Sequence, residues 1–133
     1  MLSPKLRANL IQFALEARSR AYCPYSHYQV GAALLGENGV IYGGCNVENA
    51  SYGGTICAER TAVVKAVSEG VRQFSALVVA TANGGSPCGI CRQFLYEFAP
   101  DLLIILIDGD GIVRAEHTLR QLLPYGFGAA HLE

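Results

Sequence analysis

Two cysteine-containing stretches constrain this chain most, because each lies where an apolar helix is predicted to begin. The first stretch places Cys57 two residues before Glu59. The second contains Cys88 and Cys91 in the order Pro-Cys-Gly-Ile-Cys. Cysteines three residues apart share one face of a helix, so Cys88 and Cys91 can bind the same ion. Together, the two stretches supply three thiols and one carboxylate.

This set of donors is typical of a catalytic zinc site. Three protein ligands leave the fourth tetrahedral position open for water, whereas a structural zinc site closes it with a fourth ligand. We therefore predict that Cys57, Cys88 and Cys91 bind one Zn²⁺ and that Glu59 is the base beside the water. Residues two apart diverge on a regular helix, so we expect Cys57 to project from the helix end while Glu59 leans back toward it.

The predicted centre carries negative charge, which affects its neighbours. Three thiolates more than neutralise a divalent cation, so hydrogen-bond donors to the sulfurs are expected. Arg60 and Arg92 directly follow Glu59 and Cys91 and are the nearest candidates. The same negative charge is expected to raise the pKa of Glu59 above that of a free Glu.

Two other interpretations of the cysteines remain open. The Cys88 and Cys91 pair alone could be a redox motif, although such a motif belongs near the first strand–helix turn rather than after the third strand. A structural zinc could take Cys23 or Cys45 as its fourth ligand, but Glu59 would then have no role. Five cysteines without a recognisable export signal favour free thiols or metal ligands over disulfides.

Composition narrows the possible partners. The 133 residues include 10 basic and 11 acidic side chains, with no basic run to bind phosphates, which argues against a nucleic-acid substrate. No apolar run is long enough to span a bilayer, and we expect a soluble cytoplasmic enzyme without a membrane partner. The apolar fraction of 51% favours a homo-oligomer that covers some apolar surface.

The order of predicted elements indicates an α/β fold in a single domain spanning residues 1–133. Hydrophobic periodicity and turn signals predict helices at 4–20, 55–70, 86–98 and 117–123, and strands at 28–35, 40–45, 75–81, 102–107 and 112–115. Two strand–helix–strand crossovers predict parallel units, hence a mixed five-stranded sheet with helices on both faces. Such three-layer α/β/α folds bind ligands at the carboxyl edge of the sheet, where both cysteine helices would begin.

Six blocks of the sequence together cover nearly the whole chain. The blocks are Pro-Tyr-Ser at 24–26, Val-Gly-Ala-Ala at 30–33, Gly-Cys-Asn-Val-Glu-Asn-Ala-Ser-Tyr-Gly at 44–53, Cys-Ala-Glu-Arg-Thr-Ala at 57–62, Pro-Cys-Gly-Ile-Cys-Arg-Gln at 87–93, and the tail Leu-Leu-Pro-Tyr-Gly-Phe at 122–127. The metal motif is the all-cysteine version of the zinc deaminase signature. In this order, the six blocks resemble the small homotetrameric cytidine deaminases.

The resemblance implies zinc-dependent hydrolytic deamination of cytidine and deoxycytidine to the uridines, a step of pyrimidine salvage. It assigns Asn46 and Glu48 to the ribose hydroxyls. It also implies that the main chain of Ala58 and the carboxylate of Glu59 read the base edge. Glu59 would take a proton from the water and pass it to N3 of the ring.

The resemblance also implies a homotetramer whose active sites are shared between subunits. Tyr28 corresponds to the family's phenylalanine against the pyrimidine ring, and its hydroxyl is a departure. Phe127 corresponds to the tail aromatic that stacks on the base from a neighbouring subunit, and Tyr52 to a residue contributed across the interface. Ala129, where many relatives carry proline, is the second departure.

Other functions remain possible at this stage. A deaminase of a modified pyrimidine nucleoside, such as a blasticidin-type antibiotic, would share the metal site. A polynucleotide-editing deaminase would normally carry a histidine ligand and a basic surface, and this sequence shows neither. A zinc-stabilised interaction domain without catalysis would bind metal and tolerate the loss of Glu59.

Overall fold

A mixed sheet of five strands forms the centre of the molecule in a computed structural model that describes residues 2–133. The strands lie in the order β2-β1-β3-β4-β5, and only β3 and β4 are parallel neighbours. In chain order the elements are α1 Pro4–Arg18, β1 Gly31–Gly36, β2 Ile41–Cys45, α2 Ala58–Ser68, β3 Phe74–Ala80, α3 Gly89–Tyr96, β4 Leu103–Ile107, β5 Val113–Thr118 and α4 Leu119–Leu122, with 3-10 turns at Tyr52–Gly54 and Ala129–Leu132. The predicted mixed five-stranded sheet is confirmed.

Helices cover both faces of this sheet, as expected for three layers. On one face, α1 packs Leu10 and Ala14 against alternate residues of β1, β3 and β4. On the other face, α2 and α3 bury Val63 and Leu95 with the intervening residues of the same strands. The central strands β1, β3 and β4 are therefore almost wholly buried, which explains their continuous apolar runs.

Two glycines allow the helices to approach the sheet closely. A Cβ at Gly31 would lie 2.1 Å from the carbonyl oxygen of Ala14 in α1, so only glycine fits at this position of β1. A Cβ at Gly44 would lie 2.6 Å from the main-chain nitrogen of Ala62 in α2. Because neither position can accept a side chain without a backbone shift, Gly44 fixes how α2 lies against β2.

Several predicted boundaries and one pairing were wrong. Helix α3 begins at Gly89 rather than after Ser86, because Cys88 keeps an extended backbone as its N-cap. Strand β5 continues to Thr118, which caps α4, so this helix spans Leu119–Leu122 rather than residues 117–123. The crossover through α2 joins β2 to β3. These two strands run in the same direction, but β1 lies between them, so they do not form the predicted parallel pair. None of the helices described in residues 2–133 has the length and apolarity to cross a bilayer.

Candidate active site

The N-terminus of α2 presents one thiol and one carboxylate. Cys57 is the N-cap residue, with an extended backbone (φ −70°, ψ 154°), so its side chain leaves the helix end as predicted. Glu59 lies in the first turn and is only 4% exposed. The Thr61 amide donates to the Cys57 carbonyl at 3.0 Å, which closes the first turn.

The N-terminus of α3 presents the other two thiols, with Cys88 as its N-cap and Cys91 buried in its first turn. Arg92 does not contact a sulfur, contrary to prediction. Its guanidinium donates to the carbonyl oxygens of Pro87 at 2.8 Å and Leu122 at 2.7 Å, and to Ser86 Oγ at 2.7 Å. Arg92 therefore fixes the segment before Cys88 against α4.

The three thiols form one cluster that fits a zinc ion. Their sulfur atoms all lie within 4.8 Å of one another, and Cys57 Sγ is 3.9 Å from Cys88 Sγ. A tetrahedral zinc with Zn–S bonds of about 2.3 Å would separate its sulfurs by about 3.8 Å. Within residues 2–133, neither Cys23 nor Cys45 belongs to the cluster, so the cluster offers a metal ion three thiols.

Arg60 is the positive group nearest to these sulfurs. Its Nη2 atom donates to Cys57 Sγ at 3.4 Å, as predicted, and its buried Nε atom has no hydrogen-bond partner among residues 2–133. A hydrogen bond from the Cys91 thiol lowers the pKa of Cys57 to about 5, and Arg60 adds to this effect. The same hydrogen bond raises the pKa of Cys91. Of these two hydrogen-bonded thiols, Cys57 therefore ionises more readily.

Burial controls the ionisation of Glu59. Removal from water raises the pKa of this carboxyl to about 7, and the charge of Cys57 adds a smaller increase. The predicted direction is confirmed, but the main cause is desolvation rather than the negative charge of the thiolates. A carboxyl with a pKa near neutrality can both accept and donate a proton at physiological pH.

A pocket of about 280 Å³ opens in front of the thiols and of Glu59. Its other walls come from the segment before β1, from the loop after β2 and from the end of β3. The residues that line it include Tyr28, Val30, Asn46, Glu48, Ala58 and Thr81. Four of the six residues predicted to contact substrate, Tyr28, Asn46, Glu48 and Ala58, therefore surround the same cavity as Cys57, Glu59 and Cys88.

Asn46 also supports one wall of this pocket. Its Oδ1 atom accepts from the Val30 amide at 2.9 Å, and its Nδ2 atom donates to the Tyr28 carbonyl at 2.9 Å. One amide hydrogen and one lone pair stay free for a ligand. Asn46 is buried, so these two bonds hold the segment 28–30 firmly beside the pocket.

Glu48 is held by the turn at residues 25–26, which precedes the segment 28–30. Its Oε1 atom accepts from the amides of Tyr25 and Ser26, each at 3.0 Å, and its other oxygen accepts from the Ser26 hydroxyl. These bonds lower the pKa of Glu48, and the bond from the Ser26 hydroxyl has the largest effect. Ser26 lies in one of the blocks of the resemblance, but its role was not predicted from the sequence.

The two aromatic residues expected at a subunit interface lie outside this pocket. Tyr52 is 77% exposed in a neighbouring cleft, where its ring meets Tyr25 edge-on with centroids 5.8 Å apart. Phe127 is 52% exposed in the tail. Gln93 of α3 donates to the Phe127 carbonyl at 2.8 Å, and the His131 ring stacks on the Phe127 ring at 5.2 Å. Within one chain, neither ring reaches the thiol cluster's pocket.

A thiol cluster with a buried carboxylate at one edge of an α/β/α sheet defines a zinc-dependent deaminase-type centre. Comparison with known families agrees: residues 4–107 match the model described as the cytidine and deoxycytidylate deaminase zinc-binding region. The chain belongs to this zinc-binding family, and its three-thiol cluster can bind one metal ion.

Individual relatives support the same family. The chain is 49% identical over 126 residues to the cytidine deaminase of Sporosarcina psychrophila, covering 92% of both chains. It is 50% identical over 117 residues to a probable cytidine deaminase of Dictyostelium discoideum, covering 86% of this chain and 78% of the relative. The crystal structure of cytidine deaminase from Burkholderia pseudomallei superposes with a TM-score of 0.85 at 45% identity, covering 90% of this chain and 98% of that one.

Proposed function

We propose that this chain catalyses the hydrolytic deamination of cytidine and deoxycytidine, producing uridine or deoxyuridine and ammonia. The observation that carries the proposal is the shared pocket in which Cys57, Cys88 and the buried Glu59 face the same cavity. The relatives named cytidine deaminase at nearly half identity over most of the chain support the substrate class.

Cys57, Cys88 and Cys91 are the proposed zinc ligands, because their spacing fits tetrahedral zinc and no fourth cysteine of the described chain joins them. Zinc in such a site polarises a water molecule and lowers its pKa. Arg60 offsets the negative charge of the sulfurs through its contact with Cys57.

Glu59 is the proposed proton carrier. Its carboxylate accepts a proton from the attacking water and delivers it to N3 of the pyrimidine, which makes C4 more electrophilic. After the oxygen has added to C4, the Glu59 carboxylate takes the remaining proton from that oxygen and passes it to the amine. The C4–N bond then breaks, ammonia leaves, and the C4 carbonyl forms. A pKa of about 7 supports both transfers in one catalytic cycle.

The pocket walls supply the proposed substrate contacts. Asn46 and Glu48 bind the ribose, and each retains hydrogen-bonding capacity after its contacts within the protein. The main chain of Ala58 reads the base edge beside Glu59. The Tyr28 ring packs against the pyrimidine. These positions follow the family resemblance, and all four residues line the pocket.

We further propose a homotetramer in which Tyr52 and Phe127 complete the sites of neighbouring subunits. Their exposure within one chain supports this arrangement, because a large exposed aromatic ring is stabilised when a partner covers it. Sedimentation should give a mass of about four chains, and a monomer would contradict the shared sites.

We propose that residues 1–133 act as one deaminase domain. We also propose that this domain works in the cytoplasm and that its reaction is a step of pyrimidine salvage.

A substrate comparison tests the proposed reaction. Purified zinc-loaded protein should remove the absorbance band of cytidine and of deoxycytidine and should release one equivalent of ammonia. A blasticidin-type nucleoside should react far more slowly. Faster turnover of the modified nucleoside would contradict the substrate proposal, and zinc binding without turnover of any nucleoside would indicate a zinc-stabilised interaction domain instead.

A further inference from the structure

The Tyr28 hydroxyl, which the family's phenylalanine lacks, makes a contact within this chain. It donates to Asn83 Oδ1 at 2.8 Å across a separation of 55 residues. The ring of Tyr28 lines the pocket, whereas Asn83 lies on the loop between β3 and α3. This hydrogen bond therefore joins the wall that faces the base to the segment that leads to Cys88.

Asn83 shares its side-chain oxygen with a second donor from the same loop. Thr81, which is only 3% exposed at the end of β3, directs its hydroxyl to Asn83 Oδ1 at 3.4 Å. The Thr81 oxygen in turn accepts from the Gly85 amide at 2.8 Å. The Tyr28 and Thr81 hydroxyls both donate to Asn83 Oδ1, so the network depends on this single acceptor atom.

The main chain around the network leaves little room for movement. A Cβ at Gly85 would lie 3.0 Å from the Tyr28 hydroxyl oxygen, so the loop passes directly over the end of the Tyr28 ring. The other end of the Tyr28 residue is held through its carbonyl by Asn46. Asn83 also forms an antiparallel bridge with Asp108. The ring is thus held from both ends by groups that are themselves fixed.

We propose that Asn83 is a positioning residue for the deamination reaction. Its carboxamide oxygen holds the Tyr28 ring in the orientation that packs on the pyrimidine and couples that ring to the loop carrying Cys88. The inference rests on the proposed function, because the ring matters only if the pocket binds a pyrimidine nucleoside. It assigns the Tyr28 hydroxyl a role that a phenylalanine at this position cannot have.

The test compares variants that keep or remove the acceptor oxygen. Asn83→Leu has similar size and no acceptor, whereas Asn83→Asp keeps an oxygen for both donors. Asn83→Leu and Tyr28→Phe should each raise the KM for cytidine about three- to tenfold, the effect of one lost hydrogen bond, with kcat within about twofold. The KM of the double variant should be no higher than that of either single variant, and the KM of Asn83→Asp should stay near the wild-type value.

Tyr96→Phe is the matched control, because it removes a hydroxyl that contacts Arg120 at 3.5 Å away from the pocket. It should leave KM unchanged, and all variants should retain one zinc per chain. Unchanged KM in Asn83→Leu and Tyr28→Phe, additive effects in the double variant, or an Asn83→Asp variant as weak as Asn83→Leu would overturn the inference. A wild type that does not convert cytidine would contradict the proposed function, and the inference with it.

Discussion

The thiol centre and the exposed aromatic rings differ in how much of their environment one chain supplies. Cys57, Cys91 and Glu59 are held by two helix N-termini that pack on the same face of the sheet. Tyr52 and Phe127 instead lie on a 3-10 turn and in the tail, and more than half of each side chain is exposed. One chain therefore brings the three thiols and Glu59 together and leaves the two aromatic rings uncovered.

This difference follows from the packing of the two regions. The helix that carries Cys57 lies close against β2, because Gly44 has no side chain to hold its backbone away from Ala62. The tail is attached to the core through the Gln93 hydrogen bond and through Arg92, which holds Leu122. A metal site needs the distances between its ligand atoms fixed to within about half an ångström. An exposed aromatic ring needs only to reach the pocket of a neighbouring subunit.

The largest effect is expected from removal of a metal ligand. Cys91→Ala should reduce bound zinc far below one per chain and abolish deamination, because two thiols cannot hold the ion against competition from water. Metal analysis and the cytidine assay measure both quantities. Cys45→Ala is the matched control, since the Cys45 thiol lies outside the cluster and donates to the Arg20 carbonyl at 3.6 Å. This variant should keep zinc and activity. Full zinc binding by Cys91→Ala would contradict the assignment of the cluster.

Removal of the proton carrier should come next. Glu59→Gln should lower kcat about 10²- to 10⁴-fold and leave one zinc per chain, because the amide keeps the shape of the side chain but cannot transfer protons. Glu69→Gln, at the exposed end of the same helix, is the control and should resemble the wild type. Near-normal turnover by Glu59→Gln would exclude Glu59 as the acid and base.

Loss of the tail aromatic should affect substrate binding and leave the metal in place. Phe127→Ala should raise the KM for cytidine about fivefold to a hundredfold, the range expected when a base loses an aromatic stacking partner. Steady-state kinetics with metal analysis distinguishes this from damage to the centre. Tyr125→Ala, two residues earlier and fully exposed, is the control. An unchanged KM in Phe127→Ala would remove the tail from the substrate site.

The smallest effect concerns Asp108, which supports the turn opposite Asn83. Amide hydrogen bonds from Ile112 and Asp110, and then the contact with Arg114, lower the pKa of Asp108. Its carboxylate therefore stabilises the fold above the ordinary Asp pKa of about 4, and this contribution is lost as the pH falls through the lowered pKa. Asp108→Asn should lower Tm by a few degrees at neutral pH, with a difference from the wild type that shrinks below about pH 4.

Thermal unfolding across this pH range, with Asp110→Asn as the control, measures the effect. The side chain of Asp110 lies in the exposed part of the same turn, and its removal should leave the pH dependence unchanged. A constant difference between Asp108→Asn and the wild type at all pH values would indicate that the charge of Asp108 does not stabilise the turn.

The sequence allowed prediction of features that depend on local pattern. Apolar runs predicted the buried strands β3 and β4, and turn signals predicted the break between β1 and β2, where Gly39 has a φ of 83°. The positions of the three cysteines at helix N-termini followed from their spacing. These features need only neighbouring residues, because strand burial and helix capping are determined over a few positions.

Long-range contacts could not be predicted in this way. Arg92 follows Cys91 directly, yet its guanidinium turns away from the sulfurs and reaches Leu122, 30 residues later. The partner of the Tyr28 hydroxyl, Asn83, lies in an ordinary glycine-containing loop. Such contacts depend on which loops the folded sheet brings together, and no pattern within the loop indicates the partner of an exposed polar side chain.

A subunit-mixing experiment tests most directly whether one chain supplies the reactive centre and a neighbour supplies the aromatic contact. Glu59→Gln chains keep Phe127, and Phe127→Ala chains keep Glu59. Coexpression of the two variants should produce mixed oligomers with a component of deaminase activity at the wild-type KM, although neither variant alone has one. Activity only at the raised KM of Phe127→Ala would contradict the account, because Phe127 would then act only within its own chain.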